Sequence, residues 1–85
     1  MRRFLLLSVH YRHPELLADQ IDRLRYCAAP VRSALGAELV LVPILHRWAA
    51  PSVVEAVLNA GGRHGGRVWP VDLRQMTPEE VPEDV

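Results

Sequence analysis

The chain alternates between short apolar runs and longer stretches in which apolar positions recur with the period of a helix. Phe4 to Val9, FLLLSV, is a continuous apolar run of strand length. Such runs fit a strand buried on both faces of a parallel sheet. Beyond it, Leu17, Ile21, Leu24, Ala28, Val31 and Leu35 recur at spacings of four and three, the apolar stripe of an amphipathic helix. Pro14 suits the first turn of that helix, where a missing N–H costs nothing, and Glu15 follows near the positive end of the dipole. Pro30 falls inside the stripe and predicts a kink near Tyr26 to Ala29 or two abutting helices. Gly36 is placed to close the segment as a C-terminal cap.

Glu38 to Leu45, ELVLVPIL, predicts the second strand, with Pro43 marking its end. Ser52 followed three residues later by Glu55 forms a capping box and predicts the start of a second helix. Val53, Val54, Val57 and Leu58 supply its buried face, and Gly61 stops it. Arg67 to Leu73, RVWPVDL, predicts a third strand, and Pro70 assigns it to a sheet edge. The fold class is therefore α/β: a small three-stranded parallel sheet in the order β-α-β-α-β, a Rossmann-like half. Right-handed crossovers put both helices on one face and give a strand order of three-two-one. Residues 1–74 form this unit, either whole or as a fragment of a larger domain, and residues 75–85 read as an acidic, proline-containing tail. Strand one becomes an apolar edge, which native proteins cover. A homo-oligomer, a partner or a continuation of the domain is expected there.

Composition narrows the class. The 85 residues suffice for one domain, and 49% apolar with 24% charged residues is the balance of a folded chain. No run of about 18 apolar residues occurs, so no membrane span is predicted. The apolar stretch after Arg2 and Arg3 is too short for a secretory signal, and the expected location is cytoplasmic. Cys27, the lone cysteine, has no internal disulfide partner and is read as core filler. The ten basic residues are all arginines, lie before residue 75 and face six acids there, a balance of +4. Glu79, Glu80, Glu83 and Asp84 give the remaining residues −4. A weakly basic body suits a phosphate-bearing small molecule, whereas a nucleic-acid stripe would need denser charge.

In open parallel sheets, ligands bind beyond the carboxyl ends of the strands. That rule selects three loops, Ser8 to Pro14, Pro43 to Pro51 and Asp72 to Pro78. The Gly-rich stretch Gly61 to Arg67 leads into a strand rather than a helix, so it falls on the opposite rim as a turn. His10 and His46 end neighbouring strands and are placed to share a metal or an anion, with His13 at the helix start and His64 on the far rim. No Cys or acid completes a recognised metal set with them. Arg12, just ahead of a helix N-terminus, is the leading anion-binding candidate. Trp48 is placed to stack on a planar ligand or to cap the core. Ser8, His46 and Asp72 make a nucleophilic triad on paper, without a nucleophile elbow around Ser8.

With these positions set, LLLSVHYRHPELLADQIDRL resembles the opening of inverting nucleotide-sugar glycosyltransferases of the GT-A fold, with a strand-end Tyr and a PELL..QI..L helix. The resemblance covers the first quarter of the chain. It implies that Val9, His10, Tyr11 and Arg12 line a nucleotide pocket, with Tyr11 and Arg12 near the base and phosphates. The acidic pair expected after the second strand is VPILHRW here, and the Asp-x-Asp that holds a divalent metal would lie beyond residue 85. The implied role is thus nucleotide-sugar binding, without a complete catalytic set. A second stretch, ELVLVPILHRWAAPSVVEAVLNAGG, is similar to the small sirohydrochlorin and cobalt chelatases, which implies metal insertion through His10. There YR replaces the Gly-Ser expected after that His, and DLRQMT lacks the second metal histidine. A non-catalytic α/β interaction module is the third reading, and the residues leave open whether the chain is an enzyme.

Overall fold

The computed structural model describes residues 2–75, so the acidic tail lies outside the described residues. The element order is β1 (Arg2–His10), α1 (Glu15–Leu35), β2 (Ala37–Leu45), α2 (Pro51–Arg63), β3 (Val71–Asp72) and a 3-10 turn, Leu73–Gln75. The three strands form one parallel sheet in the order β1-β2-β3. Arg2 pairs with Ala37 and the register runs without a slip to His10 and Leu45. The α/β class, the strand order and the two crossover helices are those the sequence predicts.

One core joins both helices to one face of the central strand. Leu17 and Leu24 from α1, Leu39, Leu41 and Leu45 from β2, Val53, Val57 and Ala60 from α2, and Val68 make up this cluster. Burying each Leu or Val side chain contributes about 1.5–3 kcal/mol, so β2, which is buried over most of its length, anchors the fold.

The expectation that the first apolar run is buried on both faces is corrected. α1 packs on β2, and β1 lies beyond the helix layer, so Phe4, Leu5, Leu6, Leu7 and Val9 are 42–64% exposed. Cys27 is exposed for the same reason. It borders a groove of ≈ 150 Å³ where α1 fails to cover β1, alongside Leu6, Leu24 and Leu41.

Prolines and glycines account for the remaining differences. Pro30 sits inside α1 without dividing it, and a single 21-residue helix replaces the two-helix alternative. Pro43 does not end β2. The Leu41 N–H donates to the Arg67 carbonyl and the Trp69 N–H to the Leu41 carbonyl, so odd-numbered residues here face the third strand. Pro43 belongs to that set, and its missing donor faces Trp69 and Pro70, where pairing is already interrupted between the Leu41–Val68 bridge and β3. The third strand is consequently shorter than Arg67 to Leu73. α2 starts at Pro51 with Ala50 as its N-cap and no side-chain cap bond, so the Ser52 capping box is not formed. Proline at the first helical position has its φ already set, which supplies the start signal instead. α2 also runs through Gly61 to Arg63, and Gly61 serves close packing: a Cβ there would lie 2.5 Å from Pro70 Cγ. Gly36 does cap α1, at φ 60°, with its N–H donating to the Arg32 carbonyl at 3.0 Å. Among the described residues no helix is long and apolar enough to cross a membrane.

Candidate functional site

The carboxyl ends of β1 and β2 meet the N-terminal ends of both helices, as parallel crossovers require. The two rim loops are tied by backbone bonds: the His46 N–H donates to the His10 carbonyl at 3.0 Å, and the Ala50 N–H to the Tyr11 carbonyl at 2.8 Å. This clamp sets Tyr11 against His46, edge to face, with ring centroids 4.6 Å apart. Trp48 follows, 5.6 Å from His46 and 70% exposed. The Trp48 backbone N–H donates to His46 Nδ1 at 3.1 Å, which holds the imidazole in the row. The Arg12 guanidinium lies 4.8 Å from the Tyr11 ring centre, and that of Arg47 lies 5.7 Å from the Trp48 ring. The result is an aromatic platform, Tyr11, His46 and Trp48, bracketed by two arginines and open to solvent. Planar rings can stack on it, and anions gain from the arginines.

His10 behaves differently. Its side chain is on the helix-facing side of β1 and only 3% exposed. Two residues back on the same face, the Ser8 hydroxyl donates to Gln20 Oε1 at 3.0 Å and accepts from His10 Nε2 at 2.8 Å. His10 Nδ1 is then a buried acceptor without a partner. Burial lowers the His10 pKa below its ordinary 6.5, with Gln20 acting in the opposite, weaker sense. The imidazole is accordingly neutral, and an orphaned buried acceptor costs about 1–3 kcal/mol.

The structure thus brings Tyr11, Arg12, His46 and Trp48 together, while His10 is turned inward. Val9 is on the opposite face of β1, half exposed. His13 reaches back to Glu15 at 3.2 Å on the surface. The paper triad is not assembled. Ser8 is engaged by His10 and Gln20, His46 by Trp48, and Asp72 by Arg74, whose guanidinium at 2.7 Å holds the carboxyl below its ordinary range. Among the described residues no group of three or more His, Cys, Asp and Glu side chains is placed to hold a metal ion. Arg47 escaped the sequence reading and could have been found from its place between His46 and Trp48. Ser8 enters that reading only as a paper nucleophile, whereas strand alternation puts it beside His10. Comparison with family models, curated proteins and solved structures finds no match to this chain.

Proposed function

We propose that the rim platform binds a nucleoside diphosphate moiety, and that the chain is the nucleotide-sugar-binding part of a glycosyltransferase-like protein rather than a complete catalyst. The observation that carries this reading is the unbroken row Arg12, Tyr11, His46, Trp48, Arg47, which pairs stacking faces with two cations at the carboxyl rim. Stacking of a base on an aromatic side chain is worth about 1–3 kcal/mol, and the arginines match the diphosphate as charge-assisted donors. The exposed Trp48 reports on occupancy. Titration with uridine diphosphate should quench its fluorescence, and Arg12→Ala and Trp48→Ala, compared with wild type by calorimetry, should each weaken binding about tenfold, the equivalent of 1.4 kcal/mol. Unchanged fluorescence, or equal affinity in both variants and wild type, would sink the reading.

The orphaned Nδ1 of His10 favours a second reading, chelatase-like metal insertion. It requires cobalt(II) or nickel(II) binding that disappears in His10→Ala while nucleotide titrations stay unaffected. If neither nucleotide nor metal shifts the melting temperature, the interaction-module reading stands.

A further inference from the structure

Among the described residues β1 carries a complete, unused pairing edge. Its nine residues pair with β2 on one side only, and both of its faces are apolar and half exposed: Phe4 and Leu6 toward the helices, Leu5, Leu7 and Val9 away from them. The opposite edge of the sheet is blunted, because β3 is two residues long and follows Pro70. Head-to-tail growth through β1 and β3 is therefore not offered among the described strands, and pairing of β1 with β1 of a second copy closes as a twofold dimer.

The backbone sets the register. The His10 carbonyl points to β2, so by alternation the even-numbered residues of β1 use their polar groups there. Arg3, Leu5, Leu7 and Val9 turn theirs to the free edge. We propose that two copies pair antiparallel through β1, with Leu6 on the twofold axis, into one continuous six-stranded sheet. Leu5 then opposes Leu7 of the second copy and Arg3 opposes Val9, each a hydrogen-bonded pair, while Leu6 faces Leu6 in a non-hydrogen-bonded pair.

The surface beside the edge suits this occupant. A nine-residue edge alone buries less than the roughly 1,200–2,000 Å² of a standard interface, so adjoining surface must be covered too. The groove lined by Leu6, Ser8, Gln20, Leu24 and Cys27 opens beside the same edge on the helix side. In this register Phe4 of the second copy sits opposite Ser8, on the groove side, where a large ring meets a small residue. The four arginines at the strand starts separate to the two ends. Arg3 is already engaged by Glu38 at 3.9 Å, and Arg2 opposes His10, a neutral ring.

Sedimentation velocity of the full chain over a dilution series should show a monomer–dimer equilibrium. Leu7→Lys should raise the dimer dissociation constant about thirtyfold or more, the size of an interface hot spot, without changing the far-ultraviolet circular dichroism. Leu7→Pro deletes an N–H that serves only the free edge and should act alike. In a Cys27→Ser background, Leu6→Cys should form an intermolecular disulfide under mild oxidation, since non-hydrogen-bonded Cα atoms lie about 4.5 Å apart. Leu6→Cys cross-linking tests the register even if Leu7→Pro fails to fold. A monomer at every concentration, polymers, a dimer unaffected by Leu7→Lys, or no cross-link at Leu6→Cys would each overturn the proposal.

Discussion

A single methyl group on Gly61 tests how α2 meets the entry to β3. Alanine is normally the better helix residue by about 1 kcal/mol, so Gly→Ala inside α2 should stabilise the protein wherever there is room. At Gly62 there is room, with no heavy atom within 4 Å of the added carbon. At Gly61 the carbon would lie 2.5 Å from Pro70 Cγ and 3.0 Å from Cδ. Ordinary carbon contacts are about 3.5–4.0 Å, so the two groups must part by about 1 Å, and the proline ring cannot swing aside as a flexible side chain would. Overpacking of this kind costs about 1–3 kcal/mol, which cancels or exceeds the helix gain. Gly61→Ala should therefore be neutral to about 2 kcal/mol less stable than wild type, and Gly62→Ala about 1 kcal/mol more stable. For a domain of this size the two melting temperatures separate by roughly 5–20 °C, readily measured by circular dichroism. Adding Pro70→Ala should recover most of the loss in Gly61→Ala and little in Gly62→Ala, a coupling read by a double-mutant cycle. If Gly61→Ala melts with or above Gly62→Ala, the close approach of helix and proline is wrong.

Gly36→Ala should cost about 1–2 kcal/mol in urea unfolding, because φ 60° forces an L side chain into the left-handed region although nothing crowds it. Gly36→Asn should lose less. His10 should make the protein acid-sensitive. The unfolded chain binds a proton near pH 6.5 that the buried folded ring resists, so stability falls as pH drops from 6.5 toward the lowered folded pKa and is flat above that window. Thermal melts from about pH 7.5 to about pH 5 should show a smaller decline in His10→Gln than in wild type, and equal slopes would contradict the assignment. At dilutions where the chain is monomeric, the exposed Cys27 should react with a thiol reagent at nearly the rate of the unfolded chain and should label more slowly as the dimer forms, whereas slow labelling at every dilution would mean the groove is covered within one chain.

Much of this architecture is written locally. Periodicity separates FLLLSV from the Leu17 stripe, Gly36 marks a left-handed stop, and the crossover rule then orders the strands. What periodicity does not record is the width of the helix layer. An apolar run reads alike whether a helix lies above it or beside it, so β1 and Cys27 both read as interior, whereas β1 lies at the sheet edge and Cys27 is exposed. The capping box and the Gly61 stop failed for a related reason: Pro51 supplied a stronger start signal, and Gly61 answers to Pro70, nine positions on. The rim was legible through topology alone, since strand ends bring Tyr11 and Arg12 to His46 and Trp48. The inward turn of His10 follows from the alternation of β1, but the bond from Ser8 to Gln20 beside it is a tertiary contact that no spacing announces.

The dependence of β1 on β2 also bears on how the chain is made. Every residue of β1 finds its partner 35 positions later, Arg2 at Ala37 and His10 at Leu45. At about 5–20 residues per second, ribosomal synthesis leaves the first strand without its ladder for roughly 2–7 s. During that interval α1 can form but has no β2 to lie on, and the stickiest segment of the protein waits outside the ribosome. Soluble yield should therefore respond to translation rate and chaperone supply more than to equilibrium stability.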